Sequence, residues 1–353
     1  MVAMTPLPSL GLGLGLGRSC ARFSGKMIRL RAASCAPRCF SSSSFFSKEE
    51  QKGVGLGNVT PLDTSVIPSH LGIPPYAQGE PIPPMPGLPP YFLPPDEVKS
   101  GQGEMVGKLR RACRIAAEAL EFAGTLVKPG VKTEDIDTQV FEYLLARDAY
   151  PSPLGYMNFT RAISTSVNEV VCHGVPDDRE LEEGDVVSVD VSCFVDGVHG
   201  DNCATFPVGK VDSATEDLIR ISLECLDKSI AVCGPGVPLT EIGRVCSEIC
   251  DSSGYSSVRE FCGHGVGEYF HQLPYIYHFT NAVDNGKMEP GMVFTIEPII
   301  VDGRSAAIKT LEDDWTCVTR NYARAAQFEH QLYITETGVE VMTVPEGKAW
   351  EAP

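Results

Sequence analysis

Four acidic side chains lie in segments whose other residues are typical of a protein interior. They are Asp190 and Asp201 in VSVDVSCFVDGVHGDNCATF, Glu297 in MVFTIEPII, and Glu329 in AAQFEHQLYI. Burying an unpaired carboxylate is costly, so each acid needs a counter-charge. His264, between glycines in GHGVG, adds one nitrogen ligand. The set predicts a metal site, although each acid alone could equally pair with arginine or lie in an edge strand.

The charge of this cluster favours two metal ions over one. Four carboxylates carry −4 and two divalent cations carry +4, whereas one cation would leave −2. Oxygen-rich ligation with one imidazole suits manganese, iron or cobalt better than a thiolate-bound structural zinc. The chain has no H-E-x-x-H motif, which excludes that class of zinc protease. Two neighbouring ions acidify a bound water and polarise a carbonyl, so the predicted chemistry is hydrolysis.

Two of the acids belong to one predicted β-hairpin. Valine alternates with polar residues before Asp196-Gly197, a two-residue turn signal, and a second extended run follows. Such a turn places Asp190 opposite Cys203 and makes Asp201 its diagonal neighbour on the same face. A three-residue loop would break this pairing and leave Asp201 as an ordinary loop acid.

Two helix-and-turn segments repeat along the chain. MVGKLRRACRIAAEALEFAGTLVKPGV predicts a helix that ends before Pro129, and IRISLECLDKSIAVCGPGV predicts one that ends at Pro235, 235 − 129 = 106 residues later. A second helix is predicted after each, from Thr133 and from Leu239. Chance is a rival explanation for so short a match, but the shared Pro-Gly-Val register favours a duplicated α+β unit.

The N-terminal part of the chain differs in composition from its body. Residues 1–48 hold seven basic residues, many serines and no acid, which is typical of an organelle transit peptide; a plain disordered tail is the alternative. The mitochondrion is favoured, with a plastid or dual targeting as the alternative. Residues 49–97 form a Pro-rich linker or wrapping arm, and residues 98–353 form the folded catalytic domain.

Composition excludes several classes of function. Beyond the leader, 29 − 7 = 22 basic residues face 46 acidic ones, which disfavours specific nucleic-acid binding. No apolar run is long enough for a membrane-spanning helix. The ten cysteines after residue 48 contain no C-x-x-C pair, so we expect buried, reduced thiols rather than a zinc ribbon. GLGLGLG has no preceding strand and no following lysine, so it is not a phosphate loop.

From about Lys108 to Val341 the chain resembles the type 1 methionine aminopeptidases. The resemblance rests on NEVVCHGVPDD, GDVVSVDVSCFVDGVHGDNCATFPVG, GHGVGEYFHQLP, MEPGMVFTIEP and QFEHQLYITETG, in that order. It implies the α+β pita-bread fold, a pseudo-two-fold duplicated unit with a central antiparallel sheet. It also implies removal of the initiator methionine when the second residue is small.

The resemblance assigns roles to the acid-rich cluster. Asp190, Asp201, His264, Glu297 and Glu329 would bind two divalent ions (cobalt, manganese, iron or zinc), with Asp201 and Glu329 bridging them. A metal-bound hydroxide would attack the first peptide carbonyl, and Glu297 would handle the proton.

Two further histidines and an apolar pocket are implied to contact the substrate. His173 and His271 could be ordinary surface histidines, but near a metal-bound carbonyl they could donate hydrogen bonds to an oxyanion or leaving amine. The methionine pocket would be formed by Tyr156, Phe159, Cys172, Phe270 and Trp315. Ser164 stands where some bacterial members have cysteine, which affects only fine specificity.

The resemblance also implies an organellar form. The leader and the Pro-rich arm replace the zinc-finger region of the cytosolic enzyme, and the short spacing from His271 to Glu297 excludes the type 2 insertion. The expected partners are nascent N-termini after deformylation, near the ribosome, and the expected state is a monomer. An Xaa-Pro aminopeptidase or prolidase would need a larger N-terminal domain. A catalytically dead scaffold would have lost ligands, and all five are present.

Overall fold

The computed structural model describes residues 2–3 and 55–350. The predicted transit peptide, residues 1–48, therefore lies almost wholly outside the described residues. Among the described helices, none has both the length and the apolar character to cross a membrane.

The described elements alternate between helical and extended segments. The helices are α1 (Pro95–Ser100), α2 (Glu104–Leu126), α3 (Thr133–Leu145), α4 (Ser213–Ala231) and α5 (Thr240–Ser253). The strands are β1 (Val2–Ala3), β2 (Tyr150–Pro151), β3 (Ser164–Val167), β4 (Val170–Cys172), β5 (Val186–Val195), β6 (Val198–Pro207), β7 (Ser256–Ser257), β8 (Phe261–Gly265), β9 (Gln272–Ile276), β10 (Val293–Ile296), β11 (Ile299–Val301), β12 (Ile308–Thr310), β13 (Cys317–Thr319), β14 (Ala325–Gln327), β15 (His330–Ile334) and β16 (Val339–Val341).

The hairpin that carries two of the acids has the predicted register. Asp196 and Gly197 form its turn with φ of 53° and 91°, the left-handed values that a two-residue hairpin turn requires. Asp190 of β5 lies opposite Cys203 of β6, and Ser192 lies opposite Asp201. The predicted diagonal pairing of the two aspartates is therefore confirmed.

Helix α2 packs closely against this hairpin because small residues line the contact. Ala112, Ala116 and Ala119 are fully buried on one face of the helix. A Cβ on Gly200 would lie only 2.5 Å from the carbonyl carbon of Ala112, so only glycine fits there. This close approach fixes the strand segment that carries Asp201.

The two halves of the chain repeat the same connections. The Gly130 amide donates to the Leu181 carbonyl at 2.8 Å, and the Gly236 amide donates to the Met288 carbonyl at 2.8 Å. In the first half this bond links the turn between α2 and α3 to the segment before β5. In the second half it links the turn between α4 and α5 to the segment before β10. Helix α3 begins at the predicted Thr133, and α5 begins one residue after the predicted start. The duplicated α+β unit is confirmed.

The halves meet where their sheets join. One sheet has the order β2–β5–β3 with β6 on β5, and another runs β8–β10–β15–β16 with β9 on β8. Cys203 of β6 exchanges backbone hydrogen bonds with Glu329, just before β15, and this bridge connects the two sheets. The strands that carry the acidic residues therefore converge at the junction.

The Pro-rich segment lies against the body of the protein. Leu71 and Leu93 are buried in the core of the first half. The Tyr76 hydroxyl donates to the Ser152 carbonyl at 2.6 Å, and the Leu93 amide donates to the Gly291 carbonyl at 2.8 Å. The described part of this segment is a packed arm, and the predicted domain boundary at residue 97 stays a prediction.

Replacement of Asp137 by asparagine should destabilise the fold by about 3 kcal/mol, because Arg161 would lose a carboxylate while remaining buried. Asp137 is fully buried, accepts the Ala162 and Ile163 amides at 2.8 and 2.9 Å, and lies 3.4 Å from the Arg161 guanidinium. Urea unfolding measures the loss. Asp135→Asn, at an exposed site on the same helix, is the control, and equal stabilities of the two variants would contradict the role of the buried pair.

Candidate metal centre

Three of the predicted ligands converge at the sheet junction. One oxygen each of Asp201 and Glu329 and one nitrogen of His264 all lie within 4.8 Å of one another. All three side chains are buried, and they come from β6, from the bridge before β15, and from β8. Segments distant in the sequence therefore meet around a volume of the size of a metal site.

The imidazole of His264 is oriented for ligation. Its Nδ1 lies 3.0 Å from the Gly265 carbonyl, so Nδ1 carries the proton and Nε2 is left with a lone pair. Nε2 lies 3.6 Å from Asp201 Oδ2 and 3.5 Å from Glu297 Oε1. Burial lowers the pKa of His264 well below its usual range, which keeps the ring neutral.

A threonine hydroxyl positions two members of the cluster. Thr295 Oγ1 donates to Glu297 Oε1 at 2.7 Å and accepts the His264 backbone amide at 3.1 Å. The Glu297 backbone amide donates to His278 Nε2 at 3.0 Å, which fixes the chain at the end of β10. Burial raises the pKa of Glu297 to about 8, because removal from water disfavours the charged form of the carboxyl group.

The two hairpin acids differ in their surroundings. Asp201 is buried and its Oδ1 accepts a hydrogen bond from Ser192 Oγ at 2.6 Å. Asp190 is half-buried and faces the adjoining cavity. Burial, together with the charge of Asp201, raises the pKa of Asp190 to about 7. The carboxylates of this pair cannot both ionise cheaply without a cation.

Unpartnered buried atoms show that the cluster fits a cation. His264 Nε2, Glu297 Oε2 and Glu329 Oε1 are buried without a hydrogen-bond partner. Within residues 55–350, no lysine or arginine forms an ion pair with any of the four acids. Buried polar atoms in folded proteins are normally satisfied, and these could all bind divalent metal ions.

A cavity of about 450 Å³ opens beside the cluster. Its aromatic walls are held by edge-to-face contacts, with ring centroids 5.0 Å apart for Phe159 and Trp315 and 5.1 Å apart for Tyr156 and Phe270. The residues at its wall include Tyr156, Phe159, Ser164, His173, Asp190, Ser192, Asp201, Phe270, His271 and Trp315. The space is apolar at one side and acidic at the other.

The predicted substrate residues have different positions relative to this cavity. His173 and His271 both line it, and the His271 ring lies 4.2 Å from that of His264. Cys172 does not line it and is only 1% exposed, because it lies behind the wall beside Cys317. The positioning residues Ser192 and Thr295 were not predicted. The strand pattern could have indicated them, because Ser192 lies opposite Asp201 and Thr295 lies two residues before Glu297.

The Pro-rich arm supplies part of the same wall. Pro83 and Met85 line the cavity together with residues of the body. Sequence reasoning missed both, because a contact between an irregular segment and a distant pocket leaves no periodic signal in the chain.

Comparison with known proteins agrees with this geometry. The profile of metallopeptidase family M24 matches residues 107–336. A mitochondrial methionine aminopeptidase 1D of Danio rerio is 39% identical over 88% of this chain and 89% of its own length. The chain belongs to the methionine aminopeptidases of metallopeptidase family M24. The predicted family and the pita-bread fold are both confirmed.

Two other methionine aminopeptidases support the assignment. A chloroplastic methionine aminopeptidase 1B of Arabidopsis thaliana is 42% identical over 81% of this chain and 74% of its own length. The crystal structure of the methionine aminopeptidase from Rickettsia prowazekii superposes with a TM-score of 0.65 at 37% identity, over 67% of this chain and 95% of that one. The chain is thus a metallopeptidase with the architecture of this family.

Replacement of Ser192 by alanine should weaken metal binding by about 10- to 100-fold, because the hydroxyl that orients Asp201 would be lost. Titration calorimetry of the metal-stripped protein measures the affinity. Ser188→Ala is the matched control, because Ser188 lies on the same strand but pairs with Thr205 at 2.8 Å rather than with an acid. Equal affinities in the two variants would show that Ser192 does not position a ligand.

Proposed function

We propose that this metallopeptidase removes the N-terminal methionine from polypeptides whose second residue is small. The observation that carries the proposal is the position of the acid-rich cluster: unpartnered buried oxygens and an imidazole nitrogen lie at one side of an apolar, aromatic cavity. The names of the relatives, which describe methionine aminopeptidases, support the same substrate.

The proposed ligands of two divalent ions are Asp190, Asp201, His264, Glu297 and Glu329. The −4 charge of the acids and the lack of a lysine or arginine partner among residues 55–350 support two ions rather than one. Ligand type does not separate cobalt, manganese, iron and zinc, since affinity order and metal supply compete. When bound, such ions supply Lewis acidity, which polarises a carbonyl and acidifies water.

The chain's own side chains would orient the substrate and move the proton. Glu297 holds one oxygen on Thr295 and leaves Oε2 unpartnered and able to accept a proton beside the ion site. His173 and His271 line the cavity and could donate hydrogen bonds to the first carbonyl and to the departing amine.

The cavity fits a thioether side chain. Tyr156, Phe159, Phe270 and Trp315 present polarizable rings, which make favourable contacts with methionine sulfur. In this proposal the aromatic end receives the first side chain. The second side chain then lies against the wall to which Pro83 and Met85 belong, and bulk there would clash.

Release of methionine from two peptides tests the proposal. The full-length protein, metal-stripped and refilled with manganese or cobalt, should release methionine from Met-Ala-Ser and not from Met-Leu-Ser. Asp201→Asn should reduce release to background, because the cluster loses a carboxylate. Asp251→Asn, at an exposed helical site, is the control and should retain activity.

Other outcomes of this assay separate the rival functions. Cleavage of Ala-Pro-Ala with no release from Met-Ala-Ser would point to an Xaa-Pro aminopeptidase. A folded protein that releases no methionine with any divalent metal would be a non-catalytic scaffold.

We place the reaction in the mitochondrion. The basic, acid-free first 48 residues and the relatives named mitochondrial or chloroplastic support an organelle. Its substrates would be chains whose formyl group has already been removed, because a free amine must enter the site. Action near the ribosome and a monomeric state stay predictions.

Cell fractionation and N-terminal sequencing test the location. The mature protein should be found in the organelle fraction and lack the basic leader, because an amphipathic basic leader is removed after import. Replacement of the leader arginines by glutamine should leave the full-length chain in the cytosol. A native protein found only in the cytosol with residues 1–48 intact would contradict the proposed location.

A further inference from the structure

A second cluster of potential metal ligands lies at the wall of the cavity. Cys172, His173 and Cys317 each place one ligand atom within 4.8 Å of the other two. Both cysteines are buried, whereas His173 is half-buried and lines the cavity with Cys317. None of these residues belongs to the acid-rich cluster.

Strand pairing brings the three residues together. Cys172 at the end of β4 is the direct cross-strand partner of Cys317 at the start of β13. Consecutive strand residues normally point to opposite faces, which would separate His173 from both sulfurs. His173 instead has a left-handed φ of 55°, which ends the alternation and lets its ring approach the sulfur pair. This backbone conformation is uncommon for residues other than glycine, and it is what completes the cluster.

The two thiols are hydrogen-bonded to each other. A hydrogen bond from Cys172 lowers the pKa of Cys317, whereas burial raises the pKa of Cys172. Thr310 Oγ1 lies 3.5 Å from the Cys317 sulfur and is a donor for a thiolate. The Cys317 thiol also donates to the Trp315 carbonyl at 3.4 Å. A cation that binds the two sulfurs would replace their protons.

We propose that Cys172 Sγ, Cys317 Sγ and the imidazole of His173 form a separate site for a borderline-soft divalent ion of the zinc class. Two thiolates carry −2, so a divalent ion makes the buried site neutral. A tetrahedral ion needs ligand atoms roughly 3.3 to 3.8 Å apart, given bond lengths of about 2.0 to 2.3 Å, so a small contraction completes the set. The fourth position opens to the cavity, where water or a ligand binds.

The two sites would select different ions. The acid-rich cluster offers four carboxylates and one nitrogen, whereas this cluster offers two sulfurs and one nitrogen. Thiolates favour zinc over manganese, which prefers oxygen ligands. The cavity provides the access path for an ion to both sites.

Occupation of this site should inhibit the enzyme, a consequence that rests on the proposed function. The ion would hold the His173 ring, which is then no longer able to contact substrate. Its open coordination position would also face the space into which the first side chain enters. Excess zinc should therefore inhibit the protein even when the acid-rich cluster is filled with manganese.

Cobalt absorption tests the site without any assay of activity. The full-length protein, reduced and metal-stripped, is titrated with Co²⁺, which gives a thiolate-to-metal charge-transfer band in the near ultraviolet only with sulfur ligands. One equivalent beyond those that fill the acid-rich cluster should produce this band. Cys317→Val and Cys172→Ser should each lose it, whereas Cys233→Ala, at another buried cysteine, should keep it.

Three results would overturn the site. They are the absence of a sulfur band in the wild type, a band that persists in both Cys172→Ser and Cys317→Val, and a thiol titration in which these cysteines form a disulfide instead of binding cobalt. Circular dichroism establishes that each variant is folded. If one cysteine variant does not fold, the other alone is enough to test the site.

Zinc inhibition then tests the consequence. With manganese in the acid-rich cluster, zinc at about ten times its dissociation constant should lower wild-type activity about tenfold. Cys317→Val, measured against its own activity without zinc, should lose less than half. Equal inhibition of both proteins would overturn the inhibitory role. A wild type with a cobalt–sulfur band but no methionine release would instead refute the proposed function and leave the site intact.

Discussion

The rest of the structure depends on the electrostatic cost of holding four carboxylates beside one another, three of them buried. Asp201, Glu297 and Glu329 are almost completely enclosed, and no lysine or arginine of residues 55–350 reaches them. Without a cation, burial favours their protonated forms. The surroundings do not relieve this cost. Instead, Ser192 and Thr295 hold the oxygens in place, so the fold keeps the acids in the arrangement that a pair of ions would stabilise.

The duplication explains why such a site forms between halves rather than within one. Leu181 and Met288 occupy equivalent positions 288 − 181 = 107 residues apart, and each accepts a bond from the Pro-Gly turn of its own half. Asp190 and Glu297 are separated by the same 297 − 190 = 107 residues, so each half contributes an acid from the equivalent strand. The pseudo-two-fold relation of the backbone is therefore also a relation between these two ligands.

Features set by local rules could be predicted from the sequence, and features set by distant contacts could not. The side-chain alternation and the Asp196-Gly197 turn determine the hairpin register, because a two-residue turn fixes the parity of both strands. The pairing of Cys172 with Cys317 joins strands far apart in the chain, and the approach of His173 to this pair requires a left-handed φ that no pattern signals. The cavity wall formed by Met85 escaped prediction for the same reason, since proline-rich composition indicates an extended segment but not where it packs.

The packed arm restricts how the chain can be matured. Anchoring of the described segment begins at Gly57, whose amide donates to Asp177 at 2.8 Å, and continues through Tyr76 to Met85 at the cavity. A processing protease that cut after Met85 would detach a part of the wall along with the leader. The cavity wall therefore limits how many N-terminal residues can be removed. This limit is set by where the arm packs in the folded protein.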